Sequence, residues 1–223
     1  MRVLQCTTIE DAWIQSIKTL DTYGKKESGI KEELNLVIEI TDFKKCKRFD
    51  KHFRKVFGDE RIDYASAYTF IDPREKGYTQ IEKGAKWTAT YWSRLHNWYG
   101  MFNQIEQIKK RLKEHKSAKT IAASVYDPIS DGKKVMGGMP CLLSLDFKPR
   151  PEGLHITAFF RSMRLSKSGY GDFDAVVALG QYLCEEADLS LHKVTFIAGS
   201  GHISTSGDEY KKTKELLKCL NVN

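Results

Sequence analysis

Residues 141–162, CLLSLDFKPRPEGLHITAFFRS, decide the fold. They hold two apolar segments, Cys141–Phe147 and Leu154–Arg161, that read as strands. Working outward, Thr120–Tyr126 and Val194–Ala198 read as strands as well. Between the later strands, Asp172–Glu186 is apolar nearly all round (Val176, Val177, Leu179, Tyr182, Leu183), which predicts a buried helix. Asp208–Leu220 predicts a terminal helix, and Gly137-Gly138 and Gly199-Ser-Gly201 read as turns. Upstream, Leu34–Ile40 alternates like a strand. Residues 8–22 suit a helix capped by Thr8, with Ala12, Ile14, Ile17 and Leu20 at helical spacing. Residues 44–57 read as a basic helix, and Asn103–His115 as one with Ile105, Ile108 and Leu112 on one face. Residues 59–100 are aromatic-rich and resist assignment. Strands and helices mix without a strict βαβ rhythm. The class is therefore α+β, a mostly antiparallel or mixed sheet flanked by helices. With no repeat, low-complexity tract or Pro/Ser-rich linker, residues 1–223 read as a single domain.

At 223 residues the chain can bury one sizeable core. No apolar run approaches a membrane span and no signal peptide is visible, so no membrane association is expected. Five scattered cysteines show neither CxxC nor a Cys/His metal spacing, which suits free thiols in a reducing cytoplasm and gives no metal site. The net charge of +7 suggests an anionic partner. The densest basic stretch, Lys109-Lys-Arg-Leu-Lys with His115-Lys116, reads as a solvated helix face. It lacks the interleaved aromatics of a nucleic-acid patch, so no nucleic acid is expected. Charge alone leaves open a basic, RNA-associated protein.

Three spaced features carry chemistry. Pro140-Cys141 places a thiol at the head of a strand, where a turn can leave it facing a cleft. A thiolate is a strong nucleophile, and a nearby cation such as Arg161 would favour it. A buried structural cysteine is the plain alternative. Arg161-Ser162, twenty residues on, offers a planar fork of donors and a hydroxyl suited to phosphate, or to a surface carboxylate. His202, in Gly-Ser-Gly-His-Ile, is placed to hydrogen-bond a ligand hydroxyl or is a simple turn histidine.

Taken together, residues 103–217 resemble thymidylate synthases and the related pyrimidine-nucleotide C5-hydroxymethylases. The resemblance rests on Pro140-Cys141, Arg161-Ser162, Asp172 and His202-Ile203-Ser204 at matching intervals, with Asn103-Gln104-Ile105 to Lys119 leading to Tyr126-Asp127-Pro128. The short length is similar to the divergent archaeal type. The resemblance implies that Cys141 adds to C6 of a pyrimidine nucleoside monophosphate. C5 then takes a one-carbon unit from 5,10-methylene-tetrahydrofolate or a tetrahydromethanopterin analogue. It also implies that Arg161 and Ser162 hold the 5′-phosphate and that His202 contacts the sugar. The family's homodimers lend basic residues to the partner's phosphate, with Lys119 the candidate here and Thr120 where a second Arg is usual. The proton-removing tyrosine corresponds to Tyr91 or Tyr99, and the catalytic glutamate to Glu60 or Glu82.

Departures accompany the match. Leu142 replaces the usual His, Arg164 the Asp that helps the pterin, and Ser204 the sugar-contacting Tyr. Asp172 stands where the family's Asn pairs with uracil O4 and N3–H. A carboxylate cannot donate to O4 but can accept from the N4 amino group of cytosine. A two-residue shift would place Asp174 in this role, and either acid could instead cap the helix N-terminus. Thymidylate synthesis from dUMP is the leading expectation. A (d)CMP 5-hydroxymethylase or a catalytically idle nucleotide-binding relative are the alternatives.

Overall fold

The computed structural model describes residues 1–45, 47–58, 70, 72–74, 90–133 and 138–220. Strand β1 is Arg2–Cys6, followed by helix α1, Ile9–Tyr23. Thr8 caps α1 as expected, its Oγ1 accepting the Asp11 N–H at 3.1 Å. Strands β2 (Lys25–Glu27) and β3 (Ile30–Ile40) form a hairpin, and α2 is Lys47–Phe57. Then come α3 (Tyr91–His96), α4 (Gln104–Glu114), β4 (Ile121–Ser124) and the single turn α5 (Pro128–Asp131). The hairpin of β5 (Leu142–Arg150) and β6 (Gly153–Phe160) leads to the short β7 (Met163–Arg164) and to α6 (Gly169–Ala187). The long β8 (Leu191–Ser204) and α7 (Gly207–Cys219) complete the chain.

The sheet runs β1-β3-β8-β6-β5-β4, with β2 on β3 and β7 on β8. It is mixed: β1–β3, β6–β8 and β7–β8 are parallel, and the remaining pairs antiparallel. This is the α+β arrangement expected from the mixed order of elements. Alternation places Leu36, Ile38, Leu145, Phe147, Ile156, Ala158, Val194, Phe196 and Ala198 in one continuous core with the helices. Their alternates Val37, Glu39, Thr157, Phe159, Thr195 and Ile197 stay half-buried or exposed. Trp13 joins α1 to α2, meeting Phe49 and Phe53 edge-on at 5.7 and 5.2 Å between ring centroids. Its indole N–H donates to the Leu165 carbonyl at 2.9 Å. No described helix is long and apolar enough to cross a membrane.

The expected turn at Gly199-Ser-Gly201 is a correction, because β8 runs unbroken through it. Those glycines provide room rather than a reversal. A Cβ on Gly199 would lie 3.0 Å from the Arg161 carbonyl oxygen, and one on Gly201 2.8 Å from the Leu36 side chain. His202 is therefore a strand residue, paired with Glu32 on β3 and Arg164 on β7. Helix α6 also begins three residues before Asp172, with Ser168 as its N-cap, so Asp172 lies in the first turn and Asp174 further along, and neither is the N-cap residue.

A buried ion pair fixes α3. Arg94 grips Asp131 through two bonds of 2.6 and 3.0 Å and also donates to the Val125 carbonyl at 2.8 Å. Asp131 in turn accepts the Asp127 N–H at 3.0 Å. Both side chains are withdrawn from water, so removing one leaves the other charge stranded. Asp131→Asn is expected to cost about 3–5 kcal/mol in urea unfolding, the range for breaking a buried pair from one side.

Candidate active site

Cys141 directly precedes β5, where the β5–β6 hairpin is open, and its thiol is half-buried. Arg161 follows the last residue of β6, and its N–H donates to the Cys141 carbonyl at 2.8 Å. The Arg161 guanidinium folds back over the segment before the cysteine. Nε donates to the Pro140 carbonyl at 3.0 Å and Nη2 to that of Met139 at 3.1 Å. Nη1 has no partner among the described residues. Two hydrogen bonds thus set a cation beside the thiol, and the next residue, Ser162, lies half-buried alongside.

Tyr91, at the start of α3, reaches the same point. Its hydroxyl accepts the Cys141 N–H at 3.0 Å and also hydrogen-bonds the thiol. Burial, then the neighbouring Cys141 and Asp172, push the Tyr91 hydroxyl well above its ordinary range, so it keeps its proton and acts as a donor. Of the two tyrosines expected near the chemistry, only Tyr91 is at the thiol. Tyr99 instead donates to the Asp127 carboxylate.

Helix α6 brings Asp172 to this group. Burial raises its carboxyl to about 7, against a weaker opposing bond from Ser168. Its charge is felt at both Cys141 and Tyr91. Asp174 lies two residues on, about 200° around the helix, and pairs with Lys45 Nζ at 2.6 Å. Of the two acids, Asp172 is the one whose charge reaches the thiol, while Asp174 is paired with Lys45. Cys141 itself is raised by burial first. Arg161 pulls it down, Asp172 pushes it up, and the Tyr91 hydrogen bond lowers it.

His202 stands apart. It lies three residues beyond Gly199 on β8, roughly 10 Å at strand rise. Its charged neighbours are Arg164, Glu32 and Glu209, and burial holds the imidazole below its ordinary value. Its Nδ1 is buried with no partner in hydrogen-bond geometry among the described residues, although the Ser200 backbone lies near enough to favour the charged ring. Arg164 is clamped by Glu209, Nε to Oε1 at 3.0 Å and Nη2 to Oε2 at 2.8 Å. Ser204 is turned into the structure: its N–H donates to Ser166 Oγ at 3.1 Å and its hydroxyl to the Ser206 carbonyl at 2.9 Å. Lys119 is exposed just before β4. Ile121 pairs with Phe147, which carries Lys119 toward position 149, so within one chain it lies at the other end of β5 from Cys141, roughly 26 Å away at strand rise. Glu60 and Glu82 lie outside the described residues. The contact that sequence reasoning lacked is the cradle of Met139 and Pro140 carbonyls around Arg161, since main-chain acceptors leave no trace in residue types.

A half-buried thiol with a cation, a hydroxyl donor and the charge of a buried acid around it, on the end of a mixed sheet, is a candidate site for covalent chemistry in an α+β protein. No protein-family model matches the chain. It is similar to archaeal proteins that carry the name "Putative thymidylate synthase". One from Methanococcoides burtonii is 24% identical over 222 residues, covering 97% of this chain and 95% of its own length. One from Methanosarcina mazei is 26% identical over 226 residues, 99% of this chain and 96% of its own. One from Methanopyrus kandleri is 24% identical over 213 residues, 90% of this chain and 92% of its own. The resemblance seen in the motifs thus extends along nearly the whole chain, to a divergent archaeal group of thymidylate-synthase-like proteins.

Two outcomes follow from the charges. Arg161→Gln should raise the pH at which Cys141 is alkylated by iodoacetamide, and Asp172→Asn should lower it, with the Cys141 peptide followed by mass spectrometry. Asp172 also links stability to pH. An unfolded Asp releases its proton near pH 3.9, while the folded one holds it to about 7. Stability from this group is full below the lower value and is lost as pH rises to the upper one. Asp172→Asn should therefore raise the urea midpoint at pH 8 and change it little at pH 4.

Proposed function

We propose that this chain is a one-carbon transferase acting on C5 of a pyrimidine nucleoside 5′-monophosphate, with Cys141 as the nucleophile that adds to C6. The relatives' names favour thymidylate synthesis from dUMP. The observation that carries the proposal is the convergence of Cys141, Arg161, Tyr91 and Asp172, from three separate parts of the chain, on one point.

Each group has a task that its surroundings support. The Arg161 charge and the Tyr91 O–H stabilise the thiolate as it forms. Addition at C6 moves the ring electrons toward C5 and O4, and C5 becomes the nucleophile. Tyr91 keeps its own proton in the free site, so its first role is to hold the sulfur rather than to act as a base. Arg161 Nη1 and the Ser162 hydroxyl are the groups offered to the 5′-phosphate. His202, neutral and with an unsatisfied Nδ1, is offered to the sugar.

Asp172 reads the base. As a neutral acid it presents one O–H and one carbonyl, the same donor and acceptor as an amide, and it can pair with uracil O4 and N3–H. Ionised, it only accepts and favours the N4 amino group of cytosine. A carboxyl poised near neutrality serves both, which gives the (d)CMP hydroxymethylase a specific observation in its favour. At position 164 the family offers a carboxylate to the pterin, whereas this chain has an arginine already held by Glu209. The residues there do not fit the family's folate contact, and the steps above are those the chain performs on the pyrimidine alone. The half-open sheet face and the position of Lys119 support a homodimer, since Lys119 reaches a phosphate at Cys141 only from a second copy.

The test is release of tritium from C5-labelled dUMP, dCMP and CMP, with a methylene-carrying tetrahydrofolate or tetrahydromethanopterin. Release from dUMP that vanishes in Cys141→Ala is the expected result. The uracil-to-cytosine preference should fall as pH rises through 7 and become pH-independent in Asp172→Asn. That variant should also favour uracil by about ten-fold or more, the scale of one mismatched buried polar contact. Tight nucleotide binding with no release from any substrate and either donor would overturn the enzyme in favour of an idle relative.

A further inference from the structure

At the end of the sheet away from Cys141, two histidines and a glutamate meet by a device that strand alternation alone would not produce. Strands β6 and β8 are parallel and pair Leu154 with Leu191, but His155 with Lys193. His192 is therefore an extra residue in a parallel ladder, where bulges are rare, and a bulge re-aims the side chain it carries. The turn opposite is shaped to receive it. Gly153 has φ +133°, and a Cβ there would lie 2.6 Å from the Ser190 carbonyl oxygen and 3.0 Å from the His192 Cβ. The Leu154 N–H donates to that same Ser190 carbonyl at 2.7 Å, closing the β5–β6 turn onto the start of β8.

The result is a compact ligand set. The His155 and His192 rings lie 4.7 Å apart between centroids, inclined by 42°. His155 Nε2 is 2.9 Å from Glu152 Oε1. One ligand atom from each of the three residues lies within 4.8 Å of the others. Ligands about 2.1 Å from a tetrahedral metal sit about 3.4 Å apart, so small side-chain rotations at an exposed turn would close the set. The surrounding cations do not compete for the carboxylate. Lys148, paired with His155 across the hairpin, is bound to Asp146, and Lys193 is bound to Glu39 at 3.4 Å.

We propose that Glu152, His155 and His192 form a binding site for a first-row divalent metal ion, zinc above all, which clips the β5–β6 turn to the start of β8. Two imidazoles and one carboxylate suit zinc and its neighbours, whereas calcium and magnesium demand oxygen ligands. Three protein ligands leave a position for water. The site is independent of the thiol chemistry proposed above, since His155 and Cys141 sit at opposite ends of the hairpin.

Calorimetric titration of zinc into the untagged, chelator-treated full chain tests this. One equivalent should bind, and its affinity should fall at least ten-fold in His155→Phe and in His192→Phe, which keep a ring in place. Glu152→Gln, on an exposed turn, provides a third variant should either ring replacement fail to fold. Zinc should raise the melting temperature of the parent and not of the variants. Cobalt as an optical probe should show ligand-field bands without a thiolate charge-transfer band. A thiolate band, affinity unchanged in all three variants, or no binding at micromolar zinc would each overturn the site.

Discussion

Strand β8 is the constraint on which the rest of the molecule depends. Its fourteen residues pair with β3 on one side and with β6 and then β7 on the other, so it joins the N-terminal and C-terminal halves of the sheet. Gly199 and Gly201 ease its passage, since a Cβ there would crowd the Arg161 carbonyl and the Leu36 side chain. The Ser200 N–H then holds the Arg161 carbonyl at 3.1 Å, and with that peptide anchored the guanidinium turns back toward the Met139 and Pro140 carbonyls. The position of the cation beside the thiol is thus set from the neighbouring strand.

The same packing creates an electrostatic balance around Cys141. Helix α6 is buried on nearly every side, and in burying itself it carries Asp172 out of water. A desolvated carboxyl holds its proton, and a neutral acid does not repel a thiolate. Once Asp172 ionises, the thiol becomes harder to ionise. Burial thus sets the Asp172 proton, and the charge state of Asp172 in turn biases the thiol. Arg161 offsets that repulsion from one side and Tyr91 from another. The buried Arg94–Asp131 pair holds the helix that carries Tyr91 and so belongs to the same assembly, although it is not at the thiol.

The departures from the thymidylate synthase pattern have structural partners of their own. Leu142 is fully buried as a core residue of β5. Arg164 and Ser166 both bind Glu209 at the start of α7, and Ser204 closes the end of β8 through Ser166 and Ser206. These side chains tie β7, β8 and α7 together. Among these departures, Arg164 and Ser204 are thus already engaged by the chain itself, while His202 beside them keeps a buried Nδ1 without a partner among the described residues.

Most helices were legible in the sequence because a buried stripe repeats every three to four residues, as in α1, α4 and α7, and because Thr8 and Asn103 are true caps. The hairpin carrying Cys141 and Arg161 was legible too, because its strands are apolar on the buried face and end close to the residues that bind. Strand β8 was misread at its glycines, since a glycine that admits a neighbour's carbonyl has the same letter as one that turns the chain. By itself the sequence determined the α+β class, the thiol, the cation and the acid, since these rest on local pattern and residue type. Only the tertiary structure decided that the charge of Asp172 rather than Asp174 reaches the thiol, that Tyr91 rather than Tyr99 hydrogen-bonds it, or that His192 meets His155. Helix rotation, strand register and a single bulged residue govern those meetings, and each depends on contacts between residues far apart in the chain.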